Sequence, residues 1–189
     1  MVELHIAQDE HADRVLSDSA FAVLAGMMLD QQFPMERAFA GPAKVLERFG
    51  SLDPAEIAGA DPEEFAALCT TPPAIHRFPG SMAARLQALA AHIVAEYDGD
   101  TARLWDEATS GKDLMKRLGE LPGFGKQKSQ IFVALLGKQL GVRPKGWEEA
   151  AGAYAEAGSY RSVADVVDGQ SLERVRSFKK EQKARKASS

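Results

Sequence analysis

The chain of 189 residues carries a formal net charge of −4 and a sequence pI near 5.6, with 45% hydrophobic and 26% charged residues. This is an ordinary globular balance, and the length suffices for one domain with a full core or two small lobes sharing one. It excludes a protein that is basic all over, so any nucleic-acid contact must come from a local patch. The single cysteine, Cys69, excludes an internal disulfide, a thiolate zinc site and an iron–sulfur cluster, and reads as a small buried apolar residue.

From the N-terminus, residues 2–6 alternate apolar and polar as a short extended segment would, with no partner strand in sight. The start lacks the basic and apolar regions of a signal peptide, and no apolar stretch reaches membrane-spanning length, so a cytoplasmic protein is expected. From Asp18 the pattern turns helical. Phe21, Leu24, Ala25, Met28 and Leu29 form so wide an apolar face that the helix is expected to be central and buried. It stops at Asp30-Gln31-Gln32-Phe33, because Pro34 restricts the residue before it.

A helix follows from about Glu36 to Phe49, with Gly50 as its stop. Asp53-Pro54-Ala55-Glu56 and Asp61-Pro62-Glu63-Glu64 are two matching helix starts, each with an aspartate cap and proline at the first helical position. Thr70 to Gly80 is a proline-rich loop. Ser81 is expected to cap a longer helix with Leu86, Leu89, Ile93 and Tyr97 on one side, and Asp98-Gly99 turns the chain into another around Leu104 and Trp105. Ser110 caps the next helix, with Asp113 three residues on. Beyond Gly146, helices are expected at Trp147 to Ala157, in one or two turns at Val163 to Val167, and from Leu172 to about Ala184. No segment makes a strand with turn chemistry on both sides. The fold class is all-α, with eight to eleven helices.

The helix that begins near Ser110 leads into Leu121-Pro122-Gly123-Phe124-Gly125-Lys126, and another helix opens at Gly125 or Lys126. Proline fixes one backbone angle before the turn, and the two glycines allow positive φ and close approach of another backbone. The second helix would expose its unpaired N–H groups and the positive end of its dipole, a phosphate site. Lys126 and Lys128 suit that end only if an anion sits above them. This stretch resembles the hairpin of the helix-hairpin-helix (HhH-GPD) DNA glycosylase superfamily, base-excision repair enzymes related to endonuclease III and the alkyladenine glycosylases. The resemblance runs in order and spacing over roughly residues 18–150.

What the resemblance implies is a two-lobed helical fold of the DNA glycosylase type with the DNA in the cleft between lobes. One lobe is expected at about 20–138 and the other from 1–19 plus 139–189, with 174–189 a basic tail. In the resembled family a glutamine pair stands about ninety residues before the hairpin, and Gln31 lies 90 residues before Leu121. Such an amide enters the duplex and fills the gap left by a flipped nucleotide, offering donor and acceptor to the orphaned base. Capping of the helix end is the plainer use of Gln31 and Gln32. Arg77, beside an aromatic residue in the proline-rich loop, fits a phosphate clamp or wedge as well as it fits an ordinary surface loop. His5, His11, His76 and His92 show no metal-ligand spacing.

Charge points the same way. Residues 121–147 contain no acid, where the chain's average would give about four, and they hold Lys126, Lys128, Lys138, Arg143 and Lys145. A positive strip in an acidic protein is the footprint expected for a phosphate backbone. A second basic run, Arg174, Arg176, Lys179, Lys180, Lys183, Arg185 and Lys186, has only Glu181 among it. It reads either as a solvated helix end or as added DNA affinity.

The family pattern breaks at its catalytic residues. The family's aspartate, about twenty residues past the hairpin, would fall near Arg143-Pro144-Lys145-Gly146, where no acid stands. The lysine nucleophile of the bifunctional members would fall on Gln127, so no lyase chemistry is expected. The candidate acids are Glu149, Glu148 and Asp30, with Trp147 as a stacking face for an extruded base. The expected DNA-binding residues are Gln31, Gln32, Arg77, Pro122, Gly123, Phe124, Gly125, Lys126, Lys128, Lys145 and Trp147.

The expectation is therefore a base-excision DNA repair protein, a monofunctional N-glycosylase acting on a flipped damaged base. The alternative is a non-catalytic binder of damaged or distorted DNA with the same fold, and a helical interaction module unrelated to nucleic acid is the third reading. Double-stranded DNA is the expected partner of a monomer, with no membrane, no metal and no iron–sulfur cluster. A monovalent cation at the hairpin carbonyls is compatible with the resemblance. A bacterial protein of this kind would associate with the nucleoid.

Overall fold

The computed structural model describes residues 2–189, and among them there are eleven α-helices and no strand. In chain order they are α1 (Glu10–Asp18), α2 (Ala20–Leu29), α3 (Met35–Phe49), α4 (Pro54–Gly59), α5 (Pro62–Thr70), α6 (Pro79–Tyr97), α7 (Arg103–Asp106), α8 (Gly111–Gly119), α9 (Lys126–Gln139), α10 (Trp147–Ala151) and α11 (Gly169–Ala187). Short 3-10 turns lie at Gly152–Ala155 and Val163–Asp165. No helix is long and apolar enough to cross a membrane.

Every residue of α2 from Phe21 to Leu29 is buried, as its unbroken apolar pattern requires. Around it, α1 and α2 pack on α3, while α4 and α5 pack on α6. The second half of the chain wraps α9, which meets α8, α10 and the turn at Val163–Asp165. One continuous apolar core joins both groups. Cys69 is 2% exposed, and burial pushes its thiol up to about 11, as suits a small apolar packing residue.

Four of the caps read from sequence stand at helix ends. Asp53 and Asp61 accept from the first free N–H groups of α4 and α5, and Ser110 accepts from Asp113 in α8. Gly50 ends α3 in the left-handed region, with φ of 90°. Five details differ. Helix α1 was not evident in the sequence: Asp9 caps it, and it buries only Ala12, Asp13, Val15 and Leu16. The alternating segment at residues 2–6 does bury Leu4 and Ile6, but it pairs with side chains of α1 rather than with a strand. The Leu4 N–H donates to Ser17 Oγ and the Ala7 N–H to Asp13 Oδ1.

Helix α6 opens at Pro79, so Ser81 lies inside its first turn instead of capping it. Helix α10 ends at Ala151 rather than Ala157, because Gly152 takes φ of 63° and the chain tightens into a 3-10 turn. Finally, α11 runs from Gly169 to Ala187, with Asp168 and Ser171 bonding reciprocally across its first turn.

Helices α9 and α10 pack against each other, and one of their contacts is crowded. Gly137 on α9 lies against the six-membered ring of Trp147, and a Cβ there would fall inside the ring's contact radius. A methyl group cannot be accommodated without displacing α10. Gly137→Ala is expected to destabilise the fold by about 1–3 kcal/mol, the usual cost of overpacking, read as a lower urea midpoint at unchanged slope.

Candidate nucleic-acid interface

The hairpin is held from inside and bare on the outside. Leu121 and Phe124 are buried, and Phe124 meets Phe132 of α9 edge-on at 6.2 Å between ring centroids. Between them the Phe124 N–H donates to the Leu121 carbonyl at 3.2 Å, and Gly123 bends the chain at φ of 81°. Gly123, Gly125 and Lys126 are exposed and Pro122 half-exposed.

The two glycines differ in kind. Gly125 has an extended backbone, with φ of −81°, and a Cβ there would meet nothing within 4 Å. Nothing inside the protein requires a glycine at that position. It precedes Lys126 as the N-cap of α9, without a side-chain cap. Among the described residues nothing accepts from the N–H groups of Lys126, Gln127 and Lys128; the first bonded amide is that of Ser129, to the Gly125 carbonyl at 3.0 Å. An uncapped helix start beside an uncrowded glycine is an anion site with room for a backbone.

Lys128 does not reach up to that site. Its ammonium donates inward to the carbonyls of Met27 at 2.8 Å, Met28 at 3.0 Å and Asp30 at 3.4 Å, at the C-terminal end of α2. Burial pulls its pKa down to about 8, against the attraction of Asp30. The ammonium therefore caps α2 and fixes the hairpin helix to the Asp30–Gln32 turn. The expected phosphate contact of Lys128 is replaced by this internal role.

The glutamine pair is also divided. Gln31 is held in the protein: its Nε2 donates to the Met28 carbonyl at 3.1 Å and its Oε1 accepts from Arg85 at 3.3 Å. Gln32 is exposed at the tip of the turn, in the left-handed region at φ of 52°. A non-glycine residue held there is strained and points to a constrained role. Asp30 beside them is buried, its side chain 7% exposed, with Lys179 Nζ 3.9 Å from Oδ2. Burial raises its pKa, and Lys179 and then Lys128 pull it back down.

His76, ordinary by sequence, joins this turn to the proline-rich loop. Its Nε2 donates to the Gln31 carbonyl at 2.9 Å, and its Nδ1 accepts from the Phe78 N–H at 3.0 Å. That pair of bonds defines a neutral imidazole with the proton on Nε2. Phe33 packs on its ring at 4.8 Å. Beyond it, Phe78 is 46% exposed with the Arg77 guanidinium 5.3 Å from its ring centre. The loop thus carries an exposed aromatic ring and a guanidinium next to the imidazole that holds the Gln31 carbonyl.

The α9–α10 connection has an anchor of its own. It is bound to the start of α8, where the Gly111 N–H donates to the Lys145 carbonyl at 2.8 Å, and a Cβ on Gly111 would come 2.5 Å from the Gly146 oxygen. Trp147 rests on Gly137, with the Arg143 guanidinium 5.8 Å from its ring centre, so the stacking face expected of it is engaged inside the protein. Glu148 and Glu149 are exposed in the first turn of α10, and Lys145 is exposed. No hydrogen bond among the described residues joins this connection to the Asp30–Gln32 turn. The positive strip dissolves in the same way. Lys138 pairs with Asp165 at 2.6 Å, Arg143 donates to the Gly137 carbonyl at 2.8 Å, and Lys128 caps α2. Lys126 and Lys145 remain turned to solvent.

Compared with known families, residues 25–189 match the model described as "HhH-GPD superfamily base excision DNA repair protein". The chain belongs to this superfamily. No significant match was found among curated proteins or among solved structures. Within the HhH-GPD frame, Gln127 stands in α9 with its Nε2 on the Tyr154 hydroxyl at 2.9 Å. Among the described residues no three His, Cys, Asp or Glu side chains come together as a metal site.

His76 gives the interface a pH dependence. Burial lowers its pKa below the ordinary value of 6.5, so at pH below that value the unfolded chain binds more protons than the native one. Its contribution to stability is full above about 6.5 and is lost as the pH falls below it. Urea unfolding at pH 7.5 and 5.5 is expected to show a lower midpoint at the acid pH. The difference should shrink in His76→Gln, which keeps a donor and an acceptor without titrating.

Proposed function

We propose that this HhH-GPD protein is a monofunctional DNA N-glycosylase that extrudes a damaged base and hydrolyses its glycosidic bond. The observation that carries the reading is Gly125, a glycine that the fold does not need, set over three unpartnered amides. A DNA strand laid there places a phosphate on the α9 N-terminus and brings its sugar chain against the bare Gly125. Gln32 and Phe78 then face the duplex, the amide to pair with the orphaned base and the ring to hold the step open.

Asp30 is the acid proposed for the chemistry. As the bond between the sugar C1′ and the base nitrogen breaks, its electron pair leaves with the base and positive charge grows on the sugar. A carboxylate in a water-poor site stabilises that charge more than one in solvent does. Water then adds its oxygen to C1′ and passes a proton to Asp30, which hands it on to the departed base, so that the base leaves protonated and the carboxylate is restored. Glu148 and Glu149 are solvated and belong to the connection held on α8, which argues against them. With Gln127 at the position of the lyase nucleophile, no imine forms and the strand stays intact. The non-catalytic alternative draws on the Lys179–Asp30 pair, which engages the carboxylate, and on the missing acid at 143–146.

Two measurements test this. Asp30→Asn is expected to lower release of alkylated, oxidised or deaminated bases by about 10²-fold or more, with binding to an abasic-analogue duplex retained. Glu148→Gln and Glu149→Gln should leave release unchanged. Equal release by Asp30→Asn removes Asp30 from the chemistry, and binding without any release by the wild type establishes the non-catalytic alternative. Gly125→Ala is expected to cost under about 1 kcal/mol in stability and to weaken duplex binding at least tenfold. A variant that binds as the wild type does refutes the hairpin as the DNA grip.

A further inference from the structure

Helix α11 carries a basic stripe that the hairpin site does not include. At 3.6 residues per turn, Arg176, Lys179, Lys180, Lys183 and Lys186 fall within an arc of about 120° on one side of the helix. Arg174 and Arg185 lie on the opposite side, Arg174 with its guanidinium 4.7 Å from the Tyr160 ring centre. The first residues of the stripe are docked. Arg176 pairs with Glu36 at the start of α3, and Lys179 Nζ lies 3.9 Å from the Asp30 carboxylate. Asp30 is thus approached from two sides, by Lys128 of the hairpin helix at its carbonyl and by Lys179 of α11 at its side chain. The stripe and the hairpin flank the same turn.

Past Lys179 the helix leaves the body of the protein. Lys180, Lys183 and Lys186 are exposed and have no acidic partner among the described residues. Helix-dipole compensation accounts for Lys186 alone, which lies in the last turn of α11; Lys180 and Lys183 precede that turn. Like charges at i, i+3 and i, i+4 spacing cost the isolated helix a little stability, and an anion laid along the stripe would relieve that repulsion. The orientation is fixed by Arg176 and Lys179, and it turns the free lysines to the side on which Asp30 and Gln32 lie.

We propose that α11 is a second phosphate-binding arm. Its lysines 180, 183 and 186 hold the DNA backbone beside the Asp30–Gln32 turn while the α9 N-terminus holds another stretch of it. This rests on the reading of the hairpin face as a duplex-binding site. Two grips on either side of the turn would keep the duplex in register as a nucleotide is drawn out, and would raise affinity for any duplex, damaged or intact.

The test is the salt dependence of binding to an intact duplex and to an abasic-analogue duplex. Each lost phosphate contact lowers the slope of log K against log salt by about 0.9, so Lys180→Gln/Lys183→Gln/Lys186→Gln should lower it by roughly 2–3 on both duplexes. Arg174→Gln/Arg185→Gln, on the far side of the same helix, should leave it unchanged. Circular dichroism of each variant checks that α11 is intact. A triple variant with the wild-type slope overturns the arm and leaves the hairpin site standing; equal losses in both variants overturn it too, since the effect is then one of net charge. If the triple change instead abolishes binding to anionic vesicles and leaves duplex binding untouched, the stripe serves a membrane and the proposal fails. Should the wild type show no salt-dependent duplex affinity at all, the hairpin reading falls, and the arm with it.

Discussion

One ammonium group joins the two halves of the interface. Lys128 belongs to the helix that follows the hairpin, yet its charge is placed on three carbonyls at the end of α2. Those carbonyls lie at the end of a buried helix, where intrahelical donors run out; that of Met27 also accepts from the Asp30 N–H and that of Met28 from the Gln31 amide. An amino group drawn down to a pKa of about 8 by burial is still an ammonium at neutral pH, and its attraction to the dipole end of α2 holds α9 in register with Asp30 to Gln32. Those bonds tie the N-terminal half of α9 to the Asp30–Gln32 turn, two segments about a hundred residues apart in sequence.

Around this joint the turn is over-determined. His76 holds the carbonyl of Gln31, Arg85 holds its amide, and Phe33 covers the imidazole. Gln32 is then forced into the left-handed region with its side chain outward. Strain of this kind persists only where the neighbours impose it. The turn is thus ordered in the free protein, so a partner that meets Gln32 does not have to order it on binding.

How much of this was legible depended on whether a signal was local. Leu121 to Lys126 announces itself, because a proline, a left-handed glycine and two buried apolar residues make a turn by themselves. Asp53 and Asp61 likewise cap what immediately follows them. The division of labour between Gln31 and Gln32 was not legible, since it is made by His76 and Arg85, forty-five and fifty-four residues away. Trp147 misled for the same reason: its partner Gly137 lies across a loop, and an aromatic residue beside two acids looks identical in sequence whether it faces solvent or a glycine. Helix α1 was missed because its buried face is short and includes Asp13, which serves the backbone of Ala7 instead of solvent.

The cations carry the most general lesson. Five bases in an acid-free stretch looked like a footprint for phosphate, but counting charges does not say where they point. Lys128 and Arg143 satisfy helix ends, and Lys138 is bound to a nearly buried carboxylate. A helical protein must find donors for each buried C-terminus, and long basic side chains supply them readily. The bases with no such duty are Lys126 and Lys145, which face solvent, and Lys180, Lys183 and Lys186, where α11 has left the core. In a fold of many short helices, then, a charge bears on an outside partner only after the protein's own helix ends have been satisfied. By that criterion the free cations of this protein are Lys145, Lys126 and the lysines along α11, the last two lying on either side of the turn that Lys128 holds.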